Sequence, residues 1–229
     1  MNKAGTDYKL RSFQGIALLL LGFFIYLMAD IIFPYLSGRT DIDFLLSKQK
    51  IVHLAHYMGA FYVHIFSSVF VLMAGATQFF RSLMLDYPLW HRRIGQAYVA
   101  LILFISAPGA LLMSFYANGN TFSKFNFVVL TLLWWYFTWQ AYRCIRRGQW
   151  QAHGDFMIRS YALTFSAVTL RVYQYGFGWA GLYRYISPAD VYILLSFLSW
   201  IPNWILAEYL IMRGTSAWIL KKPVRAQQV

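Results

Sequence analysis

Along the chain, long apolar runs alternate with short polar breaks, and the runs cover about residues 14–33, 56–80, 94–116, 125–144, 156–178 and 190–212. Each is near the ~20 residues a helix needs to cross the hydrocarbon of a bilayer. Only a helix or a closed barrel satisfies its own backbone in lipid, and runs of this length are too long for barrel strands. The pattern predicts an all-α polytopic membrane protein, a bundle of six transmembrane helices. Every loop after the first is short and no low-complexity linker appears, so residues 1–229 read as a single domain.

Composition removes the soluble alternatives. The 229 residues are 59% hydrophobic, 20% aromatic and only 12% charged, too few charges to clothe a water-soluble globule of this size. A formal charge of +12 would suggest nucleic acid in a soluble chain. Here Lys and Arg sit in clusters between apolar runs, which is the arrangement of orientation signals, and nucleic acid is set aside as a partner. Counted outside the membrane core, Lys3, Lys9, Arg11, Arg81, Arg92, Arg93, Arg143, Arg146, Arg147, Arg159, Arg213, Lys221, Lys222 and Arg225 fall on one side, and Arg39, Lys48, Lys50, Lys124 and Arg184 fall on the other. That bias puts both termini on the cytoplasmic side of the membrane. The first run lacks a small-x-small cleavage site and reads as an uncleaved span. Cys144, the one cysteine, lies among arginines on the reducing side and reads as a bystander.

Polar residues inside the runs carry the candidate chemistry, because each must face protein or water. His153, Ser160, Thr164 and Arg171 share one stripe of an ideal helix. With a rise of about 1.5 Å per residue, Arg159, Glu208 and Gln78 fall roughly 10–13 Å from the midplane on the cytoplasmic half. Arg159 and Glu208 match in depth and sign. Either they pair inside the bundle, or Arg159 snorkels to the interface. On the outer half, Arg171, His64 and Asp30 lie roughly 6–10 Å past the midplane, and Asp30 is the acid available to Arg171. His64 reads either as part of that layer or as a hydrogen-bonded packing residue.

Trp135, Trp200 and their neighbours gather at the midplane around Pro202-Asn203, whereas tryptophan ordinarily favours the interfaces. The cluster either fills a wide bundle or holds a planar apolar ligand such as a quinone, lipid or haem. His91 and His153 open two spans that run in the same direction. They are the formal candidates for the ligands of a b-type haem or a metal, set against roles as interfacial capping residues. The difficulty is that both lie at the water interface, where haem lacks an apolar slot. His53 and His56, with Asp41 or Asp43, form a weaker outer metal candidate. No phosphate loop, nucleophile elbow, His-Glu-x-x-His or Cys-x-x-Cys occurs, so soluble-type catalysis has no foothold.

The run Trp90-His91-Arg92-Arg93-Ile94-Gly95-Gln96-Ala97-Tyr98, the run from His153 through Arg159 to Thr164, Val168-Thr-Leu-Arg171, and Trp200-Ile-Pro-Asn203 through Glu208 together resemble the bacterial membrane family filed as domain of unknown function 2306. Gly154-Asp155 stands where Arg or Trp is expected after the histidine. The resemblance implies a multi-pass membrane protein without an established activity, and it draws attention to His64, Gln78, His91, His153, Arg159, Arg171, Asn203 and Glu208 as a set. Three functions remain open: a protein holding a small apolar or redox ligand in an interior cavity, a proton-coupled small-molecule transporter, and a structural subunit serving a membrane partner.

Overall fold

The computed structural model describes residues 19–220; Lys3, Lys9, Arg11, Lys221, Lys222, Arg225 and the beginning of the first expected span lie outside the described residues. Among the described residues the regular structure is helical throughout. Four helices are long and apolar enough to cross a membrane: α1 (Leu19–Ser37, its last turn a 3₁₀ turn), α3 (Ala55–Thr77), α5 (Pro88–Ser114) and the consecutive pair α9 (Pro188–Leu198) and α10 (Ile201–Met212). The expected spans 125–144 and 156–178 correspond to α6 (Thr121–Arg146) and to α7 (Trp150–Thr164) followed by α8 (Ser166–Trp179). α6 has the length at 26 residues, but indoles, phenols and arginines dilute its apolar content. Short helices α2 (Asp43–Leu46), α4 (Arg81–Asp86) and α11 (Thr215–Leu220) complete the chain.

Local chemistry sets the ends. Asn120 caps α6 by accepting from the Phe122 and Ser123 amides at 3.0 and 3.4 Å, and Ser187 caps α9 through the Asp190 amide at 3.2 Å. α6 ends where Gly148 adopts φ +72°. The Gln149 amide returns to the Cys144 carbonyl at 2.9 Å and the Gly148 amide to Ile145 at 3.2 Å, the bond pair of a Schellman cap. The chain therefore reverses within a few residues and α7 packs back along α6. Within α5, residues Ile102–Ser106 widen into a π turn immediately before Pro108, whose ring would collide with the Phe104 carbonyl in a regular helix.

The core lies between α3, α5, α6, α7 and α10, around Val71, Tyr98, Ile102, Trp134, Phe137 and Trp200. Large side chains left exposed on the long helices, among them Phe70, Phe104, Leu132, Ile205 and Leu206, are apolar, as lipid contact requires.

The stripe from His153 to Arg171 does not continue straight. The helix is interrupted at Phe165, just after the Thr164 hydroxyl bonds back to the Ser160 carbonyl at 3.1 Å, a bond that bends helices. Ser160 and Thr164 are buried, while Arg171 is carried onto α8.

The first loop is partly folded inward. Leu45 of α2 is fully buried with Tyr35, Tyr57 and Phe61. Lys48 is 4% exposed, donates to the Tyr116 carbonyl and Asn118 Oδ1, and lies 5.2 Å over the Phe44 ring. Burial, with a contribution from Lys124, pushes its ammonium down to about 8. The unfolded chain then binds the extra proton between pH 8 and the ordinary lysine range, so stability conferred here is lost as pH falls through about 8. The melting temperature is expected to rise between pH 7.5 and 9.5. Lys48→Met should flatten that rise; an unchanged slope would remove Lys48 as its origin.

Candidate functional site

The structure joins the expected ion pair. Arg159 Nε and Nη2 donate to Glu208 Oε1 and Oε2 at 2.6 and 2.8 Å, and Trp204 Nε1 donates to Oε1 at 2.8 Å. The guanidinium also lies 5.2 Å from the Phe156 ring centroid and 6.0 Å from Phe137. A bidentate, charge-assisted pair backed by aromatic faces holds both charges at one depth.

A second polar network, missed from sequence, sits in the core. The Tyr98 hydroxyl meets Ser160 Oγ at 2.8 Å and Thr164 Oγ1 at 3.0 Å, Thr138 Oγ1 meets Ser160 Oγ at 2.7 Å, and Trp134 Nε1 donates to Thr164 at 2.9 Å. The stripe containing Ser160 and Thr164 pointed there; their partners are aromatic residues and a mid-helix threonine, which periodicity counts as filling. Asn203 Nδ2 donates to Thr169 Oγ1 at 2.8 Å and to the Ser199 and Ala162 carbonyls at 3.2 and 3.3 Å. Its amide ties α10 to α7 and α8.

The outer layer does not form. Arg171 donates to Gln174 at 3.0 Å on its own helix, Asp30 is exposed, and the two make no ion pair among the described residues. The bend at Phe165 accounts for the difference, because it removes Arg171 from the face that the unbroken stripe assigned to it. His64 Nδ1 donates to the Ser106 carbonyl in the π turn at 3.0 Å, with Ser106 Oγ at 3.3 Å. It is a hydrogen-bonded packing residue, the plainer of its two readings. The outer metal candidate dissolves as well. Asp41 is held by Arg39 at 2.8 and 3.0 Å, His56 Nε2 bonds the Tyr116 hydroxyl at 2.8 Å, and no group of three or more His, Cys, Asp or Glu fit to hold a metal occurs among the described residues.

Two openings stand out among the described residues. Gln78, His91 and His153 line one small cavity. The other is a lateral groove of about 480 Å³ lined by Leu103, Phe104, Leu132, Trp135, Tyr136 and Trp139. It lies between the π turn of α5 and the middle of α6. Phe104 is 76% and Tyr136 50% exposed, so it opens sideways rather than into the bundle. Trp200, expected beside Trp135, is instead buried and stacked on Trp204 at 5.9 Å. The candidates thus fall into separate sites. Arg159 with Glu208, Asn203, His64, and Gln78 with the two histidines are each bonded or enclosed locally, and only Trp135 lines the groove.

Helices of this length and surface define a membrane protein. Residues 61–211 match the family described as "Predicted membrane protein (DUF2306)", and the chain belongs to that family. No curated protein and no solved structure matches the chain.

Proposed function

We propose that this is a six-span protein of the bacterial inner membrane, both termini cytoplasmic, that binds a quinone-type ligand in the lateral groove. One observation carries the reading. The Tyr136 hydroxyl and the indole N–H groups of Trp135 and Trp139 have no hydrogen-bond partner among the described residues. The three residues line a groove whose other walls are apolar. Measured from the middle of α6, Trp135 and Tyr136 lie within about 4 Å of its midpoint and Trp139 about 8 Å from it. Unpartnered donors at that depth cost several kcal/mol unless a ligand accepts from them. A quinone head supplies two carbonyl acceptors and a flat ring for the indoles, and its isoprenoid tail stays in the bilayer through the open side. The groove volume suits one such ring.

The carrier reading needs a connected polar route. His64, Asn203 and the Tyr98 network are each bonded within the bundle, which favours the ligand-binding reading over it. Purified protein in lipid nanodiscs should show saturable quenching of tryptophan fluorescence by a short-tailed benzoquinone. Tyr136→Phe removes one donor and should weaken binding about tenfold, the equivalent of one hydrogen bond of about 1.4 kcal/mol. Trp139→Leu should weaken it further. Equal affinity in all three proteins would reject the groove.

A further inference from the structure

The small cavity lined by Gln78, His91 and His153 has no part in the quinone reading and stands on its own geometry. His153 donates Nδ1–H to the Ala141 carbonyl at 2.9 Å. That bond fixes the neutral tautomer and leaves Nε2 carrying the lone pair, the arrangement by which a backbone carbonyl orients a metal-ligating imidazole. His91 lines the same cavity from the start of α5, and its Nδ1 is buried without a hydrogen-bond partner. An enclosed imidazole nitrogen with nothing to bond costs free energy in every state except one in which a ligand meets it.

The objection to such a pair, that both histidines open at the water interface, is answered by two short helices that sequence did not resolve. Met84 of α4 and Ser216 and Ile219 of α11 close over the cavity, and with Phe79, Met157 and Ile158 they make its wall mostly apolar. The roof is fastened: Ser216 bonds Asp155 and Gln151 of α7, and the Arg81 guanidinium lies 5.8 Å over the Trp218 ring.

We propose that His91 and His153 form a bis-imidazole site for a transition-metal centre of low net charge. Arg92 and Arg93 follow His91 directly, which disfavours a bare dication and favours either a singly charged soft ion or a metal that brings its own carboxylates. Copper(I), which takes imidazole and thioether ligands and would find Met84 beside it, is the first. Haem iron, with two axial histidines and two propionates, is the second. The cavity is about 50 Å³: it accommodates an ion as it stands, and a porphyrin only with the roof helices displaced.

The full chain in detergent is offered haemin in one arm and copper(I), under reducing conditions, in the other. Binding is read by the Soret band and by competition with a chromophoric copper(I) chelator. One centre is expected to bind near one equivalent per chain, with affinity reduced at least tenfold in His91→Ala and in His153→Ala and retained in His56→Ala on the opposite side. Free imidazole should restore binding to the alanine variants, which a misfolded protein would not allow. Haemin binding alone identifies the porphyrin and chelator-resistant copper alone identifies the ion; either supports the site. Failure of both arms, or undiminished binding in both alanine variants, overturns it.

Discussion

Replacing Arg159 with alanine is expected to destabilise the protein by about 3 kcal/mol, because Glu208 would keep its charge with only the Trp204 N–H to answer it. The pair is part-buried, its side chains 20% and 37% exposed; removing one member of such a pair leaves the other charge unanswered, whereas replacing both by apolar residues of similar size is often neutral. The double variant Arg159→Met/Glu208→Leu should therefore recover most of the melting temperature lost in Arg159→Ala. A double variant no more stable than the single one would mean that the pair is not coupled across α7 and α10, contrary to its 2.6 and 2.8 Å bonds.

Gly75 is expected to tolerate no larger side chain. A Cβ there would lie 2.5 Å from Tyr161 Cδ2 and 2.6 Å from Tyr98 Cε2. Neither ring is free to move aside. Tyr161 donates its hydroxyl to the Leu72 carbonyl at 3.3 Å, and Tyr98 anchors the buried network with Ser160 and Thr164. Overpacking of a well-fitted core costs about 1–3 kcal/mol per small step, so Gly75→Ala should lower the melting temperature clearly and Gly75→Leu should abolish a monodisperse preparation. Gly59, on the same helix, meets nothing within 4 Å, and Gly59→Ala should be neutral or stabilising, since alanine is the better helix former by up to about 1 kcal/mol. If both glycines respond alike, close packing at Gly75 is not the cause.

Both results bear on how much the residues disclosed beforehand. Arg159 and Glu208 were legible because two opposite charges at one depth have few other ways to exist in a membrane. The long apolar runs were legible by length, and α3, α5 and α9–α10 fall close to the boundaries expected for them. Arg171 was misplaced because a stripe drawn on an ideal helix assumes an unbroken one, and the hydroxyl bond of Thr164 precedes a break. The roof over His91 and His153 was hidden for a different reason. Helices of six residues, such as α4 and α11, are too short to display a period, and their positions follow from tertiary contacts such as Arg81 over Trp218. The network around Tyr98 and the lateral groove were invisible to periodicity, which counts tyrosine and tryptophan as core without saying which polar atom lacks a partner.

The central claim, that a flat carbonyl-bearing ligand is held between the π turn of α5 and the aromatic face of α6, is tested most directly by photolabelling. A quinone carrying an azido group on its ring is irradiated with the protein in nanodiscs, and the adducts are mapped by peptide mass spectrometry. The expected label falls on peptides containing Phe104 or Trp135 to Trp139 and disappears when unlabelled quinone is in excess. Label that resists such competition, or that falls on the peptides of α3 and α10 and spares α6, would contradict the groove.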